Sequence, residues 1–302
     1  MKISLAKNSG FCFGVKRAIK LAEETAQKFG KATTIGPIIH NPQMVENLKN
    51  AGVSAVEDIS AIESGPVIIR SHGIPVEALN ELHEKQLTII DATCPYVSKA
   101  HEFAKLADKE NYEIFILGNH SHPEIIALKS YIKSNVYIWE SSDSLPKTRF
   151  TKVAIICQTT QNIYNLNKLA ELLTPVSNEV RIFNTICNAT SVRQQSSLDL
   201  AQKCDLIVVV GGKNSSNTKM LAQLCSDVSV TKHIETAEEI DEAWFKELDN
   251  SNACIGITAG ASTPDWIILD IYNKINFIVG NQNDIAVTIE DISCYKEETN
   301  EY

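Results

Sequence analysis

LTIIDATCPYVSKAHEFAKLADK, residues 87–109, runs from a short β-branched stretch into a cysteine and then, from Val97, into a segment with helical periodicity. The same arrangement occurs in ISLAKNSGFCFGVKRAIKLAEE, residues 3–24, and in EVRIFNTICNATSVRQQSSLDLAQK, residues 179–203. Cys12, Cys94 and Cys187 therefore share one setting, which the other five of the eight cysteines lack. Such self-similarity is the mark of a fold built from copies of one unit.

Working outward, a polar residue stands 28 positions beyond each of these cysteines, at the end of an apolar run: His40 in TIGPIIHNP, His122 in IFILGNHSHPE and Ser215 in LIVVVGGKNSSN. A second run follows in each third, ending at His72 in VIIRSHGIP, Thr159 in VAIICQTTQ and Ser262 in CIGITAGASTP. Short apolar runs alternating with amphipathic segments predict βαβ units and parallel sheets. The expected fold class is α/β: three pseudo-threefold-related units with small, mostly parallel sheets at residues 13–94, 95–186 and 187–280, with 1–12 packing on the third and 281–302 as an acidic tail. Functional loops of such sheets gather at the carboxyl ends of the strands, where every residue just named falls. Pro42, Pro75, Pro95, Pro123 and Pro264 place helix starts directly after these positions. Free backbone N–H groups and the positive end of the helix dipole there suit a phosphate or carboxylate.

A chain of 302 residues with 44% apolar and 22% charged residues belongs with globular proteins, and no apolar run approaches membrane-spanning length. The N-terminal MKISLAKNSG has no secretory h-region, so a cytoplasmic protein without membrane partners is expected. The formal charge of −9 argues against a nucleic-acid partner, which needs Lys and Arg clusters. Much of that charge is local, since residues 281–302 set six acidic residues against Lys296 alone. In a reducing compartment eight cysteines are not a disulfide framework. No CxxC is present, so a metal site has to be assembled from distant parts of the chain.

Three equivalently placed thiols, one per unit, are positioned to converge on a pseudo-threefold axis. They suit one [4Fe-4S] cluster with three Cys ligands and an open fourth iron able to act as a Lewis acid. Any one of these cysteines, taken alone, reads as a core residue; the shared register favours the cluster. His40, His72 and His122, with Thr159, Ser215, Ser216, Asn217 and Ser262, form a dense set of neutral or switchable donors for an anion such as a diphosphate. Glu124, two residues past His122 in a first helical turn, reads equally as a general acid and as a carboxylate favoured by the helix dipole. The GGKNSS stretch is not a P-loop, and no GxGxxG follows a strand, so a nicotinamide cofactor is not supported.

NSGFCFGVKRAI, GPIIHNP, IRSHGIP, DATCPYV, HPE, CQTTQ, NTICNATSVRQ, KNSSNT and TAGASTPD, occurring together and in order, closely resemble the LytB/IspH family of 4-hydroxy-3-methylbut-2-enyl diphosphate reductases. The likeness covers the chain to about residue 280. It implies a trefoil of three α/β units around a [4Fe-4S] cluster on Cys12, Cys94 and Cys187. It also implies diphosphate contacts from His40, His72, His122, Ser215, Ser216, Asn217 and Ser262. Thr159 would meet the hydroxyl region of the substrate, and Glu124 would donate protons. Gln158 and Thr190 match further positions near the site. The implied reaction removes an allylic hydroxyl by reduction and yields isopentenyl and dimethylallyl diphosphate, with electrons from ferredoxin or flavodoxin. Two other readings stay open: a three-cysteine [4Fe-4S] enzyme of the quinolinate-synthase type, and an Fe-S sensor without catalysis, for which a basic docking stripe is missing.

Overall fold

The computed structural model describes residues 1–141, 143–248 and 253–280, so the acidic stretch 281–302, with Cys294, lies outside the described residues. Strand β1 (Lys2–Leu5) opens the chain. A compact unit, Phe13–Cys187, follows. Its first half holds α1 (Phe13–Phe29), β2 (Ala32–Ile35), α2 (Pro42–Asn50), β3 (Val53–Val56), β4 (Pro66–Ile69), α3 (Val76–Glu84) and β5 (Thr88–Asp91). Its second half holds α4 (Pro95–Lys109), β6 (Glu113–Leu117), α5 (Pro123–Ser130), β7 (Val136–Trp139), β8 (Phe150–Cys157), α6 (Ile163–Leu173) and β9 (Ser177–Phe183). The other compact unit joins Met1–Cys12 to the chain from Asn188 onward. It contains α7 (Asn188–Ala201), β10 (Leu206–Val210), α8 (Ser216–Ser226), β11 (Val230–Ile234), α9 (Ala243–Lys246), β12 (Cys254–Ala259) and α10 (Asp265–Ile278).

The strands form three four-stranded sheets with the orders β3-β2-β4-β5, β7-β6-β8-β9 and β11-β10-β12-β1. Every pairing is parallel, so the α/β class is as the sequence predicts. The first two sheets belong to the Phe13–Cys187 unit. The third lies in the other unit and is completed by β1, with Lys2 opposite Cys254 and Leu5 opposite Ile257. In each sheet the chain steps from one central strand to an edge and returns on the other side. Switch points therefore fall between β2 and β4, β6 and β8, and β10 and β12.

The apolar runs become central strands because both of their faces are covered. β10, LIVVV, is buried throughout, as is β4. In the second sheet the two-residue strand period sends Ile114, Ile116, Ala154 and Ile156 to a core with Ala100, Ala104, Ile125 and Leu128. Phe115, Leu117, Val153 and Ile155 go to the opposite core, against Leu166, Leu169 and Leu173 of α6. Pro42, Pro95 and Pro123 are the first residues of α2, α4 and α5, and Pro75 and Pro264 cap α3 and α10. Asn41, His122, Asn162 and Ser215 cap their helices with side-chain acceptors. No described helix is long and apolar enough to cross a membrane.

Two cysteines outside the repeat are not the isolated thiols expected of them. Cys204 and Cys254 form a disulfide across neighbouring strand starts, with Cα atoms 4.6 Å apart. The register of β10 on β12 brings them together: the Asp205 N–H donates to the Cys254 carbonyl at 2.9 Å, and the Cys254 N–H to Asp205 Oδ2 at 2.8 Å.

Candidate active site

Each sheet delivers its polar residues by the same route. His40, His122 and Ser215 are the fifth residues after β2, β6 and β10, and the segments holding His72, Thr159 and Ser262 follow β4, β8 and β12. Cys94, Cys187 and Cys12 follow the edge strands β5, β9 and β1 and directly precede α4, α7 and α1. Their backbone N–H groups make matching bonds, to the carbonyls of Ser71 (3.0 Å), Thr159 (3.0 Å) and Ala261 (3.1 Å). This register corrects the alignment by one residue: Thr159 matches Ser71 and Ala261, and Thr160 matches His72 and Ser262.

In the Phe13–Cys187 unit the three histidines meet. Ring centroids are 4.4 Å apart for His40 and His72, 5.3 Å for His40 and His122, and 5.4 Å for His72 and His122. Burial first, then the His40 and His122 imidazoles and the Arg70 guanidinium, hold His72 well below the usual histidine range, so it is neutral near pH 7. Its Nδ1 is buried and has no hydrogen-bond partner. His122 Nδ1 accepts the Glu124 backbone N–H at 3.2 Å, which caps α5. One nitrogen from each ring falls within 4.8 Å of the others, a grouping open to a transition metal.

Glu124 sits in the first turn of α5 and is only 2% exposed. The Thr159 N–H reaches its Oε1 at 2.7 Å and the Thr159 hydroxyl its Oε2 at 2.8 Å. Burial raises the carboxyl to about 7 despite these two bonds, each of which favours the anion. Because the Thr159 carbonyl also accepts the Cys187 N–H, one residue fixes both the carboxyl and the backbone at a thiol. Gln158, buried beside it, accepts the Asn119 N–H at 3.1 Å and keeps a buried Nε2 without a partner.

In the unit that joins Met1–Cys12 to the chain from Asn188, Ser215 caps α8, Ser216 is its first residue, and Asn217 and Ser262 are buried. Asn217 Oδ1 accepts the Ala261 N–H at 2.9 Å, while its buried Nδ2 has no partner. That donor is free for an anion at a helix N-terminus. Thr190, in the first turn of α7, is buried as well.

Arg17 and Arg193 were not singled out from sequence. Arg17 on α1 donates to the carbonyls of Thr93 (3.1 Å) and Asp91 (3.2 Å), just before Cys94. Arg193 on α7, 2% exposed, donates to the Gly10 carbonyl at 2.8 Å, two residues before Cys12. Each therefore follows one repeat cysteine and steadies the approach to the next. The signal available was position: Arg17 stands five residues after Cys12 and Arg193 six after Cys187. Lys99, five residues after Cys94, pairs with Glu102 at 3.2 Å instead.

Switch-point polar loops, a buried acid tied to the loop before Cys187 and a half-buried thiol after the edge strand of each sheet define a parallel α/β protein with its polar residues gathered at strand ends. The LytB protein family matches residues 3–276, and the chain belongs to that family. The 4-hydroxy-3-methylbut-2-enyl diphosphate reductase of Trichlorobacter lovleyi is 45% identical over 278 residues, covering 91% of this chain and 98% of that one. The reductase of the same name from Geotalea daltonii is 44% identical over 285 residues, 94% of this chain and all of that one. Among solved structures, the chain is similar to (E)-4-hydroxy-3-methyl-but-2-enyl diphosphate reductase, the terminal enzyme of the non-mevalonate pathway, with a TM-score of 0.66 and 41% identity over 92% of this chain and all of that one. It is also similar to E-1-hydroxy-2-methyl-but-2-enyl-4-diphosphate reductase from Plasmodium falciparum, with a TM-score of 0.82 and 28% identity over 91% of this chain and 88% of that one.

Proposed function

We propose that the chain is an oxidoreductase that reduces 4-hydroxy-3-methylbut-2-enyl diphosphate to isopentenyl and dimethylallyl diphosphate. The observation that carries this reading is the buried Glu124, held by Thr159 next to the three-histidine cluster and tied through the Thr159 carbonyl to Cys187. The substrate diphosphate is bound by His40, His72 and His122 and by Ser215, Ser216, Asn217 and Ser262. The buried, unpartnered Nδ2 of Asn217 suits a phosphate oxygen, which accepts only.

Cys12, Cys94 and Cys187 hold one [4Fe-4S] cluster, and the chemistry of the remaining described cysteines supports that choice. Burial pushes the thiols of Cys157 and Cys225 up to about 12, whereas a ligand has to be a thiolate. Cys204 and Cys254 lie beside each other and outside the repeat register. When bound, the cluster supplies single electrons and, at its iron without a protein ligand, a Lewis acid for the substrate hydroxyl. Replacement of that hydroxyl by hydrogen, with water leaving, consumes two electrons and two protons, one for the oxygen and one for the carbon. Glu124, half protonated near pH 7, supplies protons to the leaving oxygen and the allylic carbon, and Thr159 sets its position. Ferredoxin or flavodoxin delivers the electrons in the cytoplasm.

Anaerobic iron and sulfide analysis combined with turnover of the allylic diphosphate tests the reading; protein that holds the cluster yet leaves the diphosphate unreduced refutes it. Two variants test individual residues. Asn217→Asp keeps the acceptor that the Ala261 N–H needs but turns the free donor into an acceptor facing phosphate. A rise in the dissociation constant of about tenfold or more is expected by calorimetry, as for a buried donor lost to a charged partner. Thr159→Val removes a hydroxyl that favours the Glu124 anion, so the carboxyl moves above about 7. Since the acid form is the active one, the alkaline fall in kcat shifts to higher pH, and an unmoved pH profile would separate Thr159 from the acid.

A further inference from the structure

Arg70 is half-buried, and no described carboxylate lies within 4.0 Å of it. Exposed Glu57 acts on it only as a distant charge, while burial pulls the guanidinium below its ordinary range. A cation withdrawn from water without a counter-ion is costly, and proteins keep one where a ligand anion completes it.

Its place in the fold says which anion. Arg70 is the first residue after β4 and stands two before His72. Its guanidinium lies on Gly36, the first residue after β2 on the way to His40. Gly36 has φ +66°, and a Cβ there would fall 2.4 Å from Arg70 Nη1 and 3.2 Å from Cζ. Only glycine allows both the left-handed backbone and this approach. The Arg70 Nε–H points back to the Gly73 carbonyl at 3.5 Å, so the side chain spans the loops carrying His40 and His72. Ser71 stitches the same loops through its hydroxyl, which donates to the Ile38 carbonyl at 3.0 Å. A neutral His72 brings no charge of its own to a ligand there.

We propose that Arg70 is a positioning residue that locks the His40 and His72 loops together and lends a fixed positive charge to the anion those histidines bind. The inference rests on the diphosphate reading above and adds to it a source of charge that the neutral donors lack. Lysine in its place keeps the charge but loses the planar fork over Gly36, whereas methionine keeps bulk alone.

Calorimetric titration of the cluster-loaded protein with inorganic diphosphate tests this, using wild type, Arg70→Lys, Arg70→Met and His72→Asn at two ionic strengths, with thermal unfolding of each variant as a fold check. Arg70→Met should bind about tenfold or more weakly at low salt, with Arg70→Lys in between, as expected for one partly desolvated charge. Arg70→Met should also lose less affinity than wild type when salt is raised, because one screened attraction is gone. A purely structural lesion would weaken binding without flattening that salt dependence. Wild-type affinity and salt dependence in Arg70→Met, with His72→Asn impaired, would overturn the role of Arg70 and leave the diphosphate site standing. No binding of inorganic diphosphate by wild type would overturn both.

Discussion

Glu124→Gln will bind the allylic diphosphate as wild type does and lose about 10²–10⁴-fold in kcat, the range expected when a positioned proton donor is removed. The substitution is gentle because of what surrounds it. The amide oxygen can keep the Thr159 N–H, and the amide NH2 can donate to the Thr159 hydroxyl, which reverses its role. The fold and the neighbouring imidazoles are therefore left in place, and the lost property is the exchangeable proton near pH 7. Wild-type kcat should fall as pH rises through about 7, since the protonated carboxyl is the working form. The variant should lose that limb of the profile together with its rate. Normal turnover in Glu124→Gln would remove this residue as the acid.

Cys94→Ala should lose the cluster and with it at least about 100-fold in turnover, more than is typical even for residues that only support a metal ligand. The backbone has no reason to follow, because the Cys94 N–H bond to Ser71 and the Arg17 bond to Thr93 use main-chain atoms that alanine also has. Cys157→Ala is the control: its thiol is fully buried and protonated, so iron and sulfide per chain should match wild type. Equal iron content in the two variants would show that the repeat register does not mark the ligands.

Particular residues show where sequence was informative. Strand ends were legible because parallel strands covered on both faces need uninterrupted apolar runs, and Pro42, Pro95 and Pro123 punctuate the helix starts. Glu124 was not decidable in one dimension, because a first-turn glutamate looks the same whether it is solvated or sealed. Burial and the two bonds from Thr159, 35 residues away, separate the cases. Arg17, Arg70 and Arg193 were overlooked because each works on backbone carbonyls or a glycine, partners with no signature in a side-chain pattern. The Cys204–Cys254 pair was hidden for a related reason: adjacency of two strand starts 50 residues apart follows from register.

Among the described strands, β1 pairs with β12 alone, some 250 positions later. On a ribosome adding about 5–20 residues per second, β1 waits on the order of tens of seconds for that partner. The Cys12 backbone cannot reach the Ala261 carbonyl before then either. A chain cut short before β12 can still build the two sheets that precede Cys94 and Cys187 and can bring Arg193 to the Gly10 carbonyl, but it lacks both the strand that pairs with β1 and the carbonyl that takes the Cys12 N–H. Placement of the Cys12 backbone against Ala261 is thus a late event in biosynthesis, reached only once the chain has been made through residue 261.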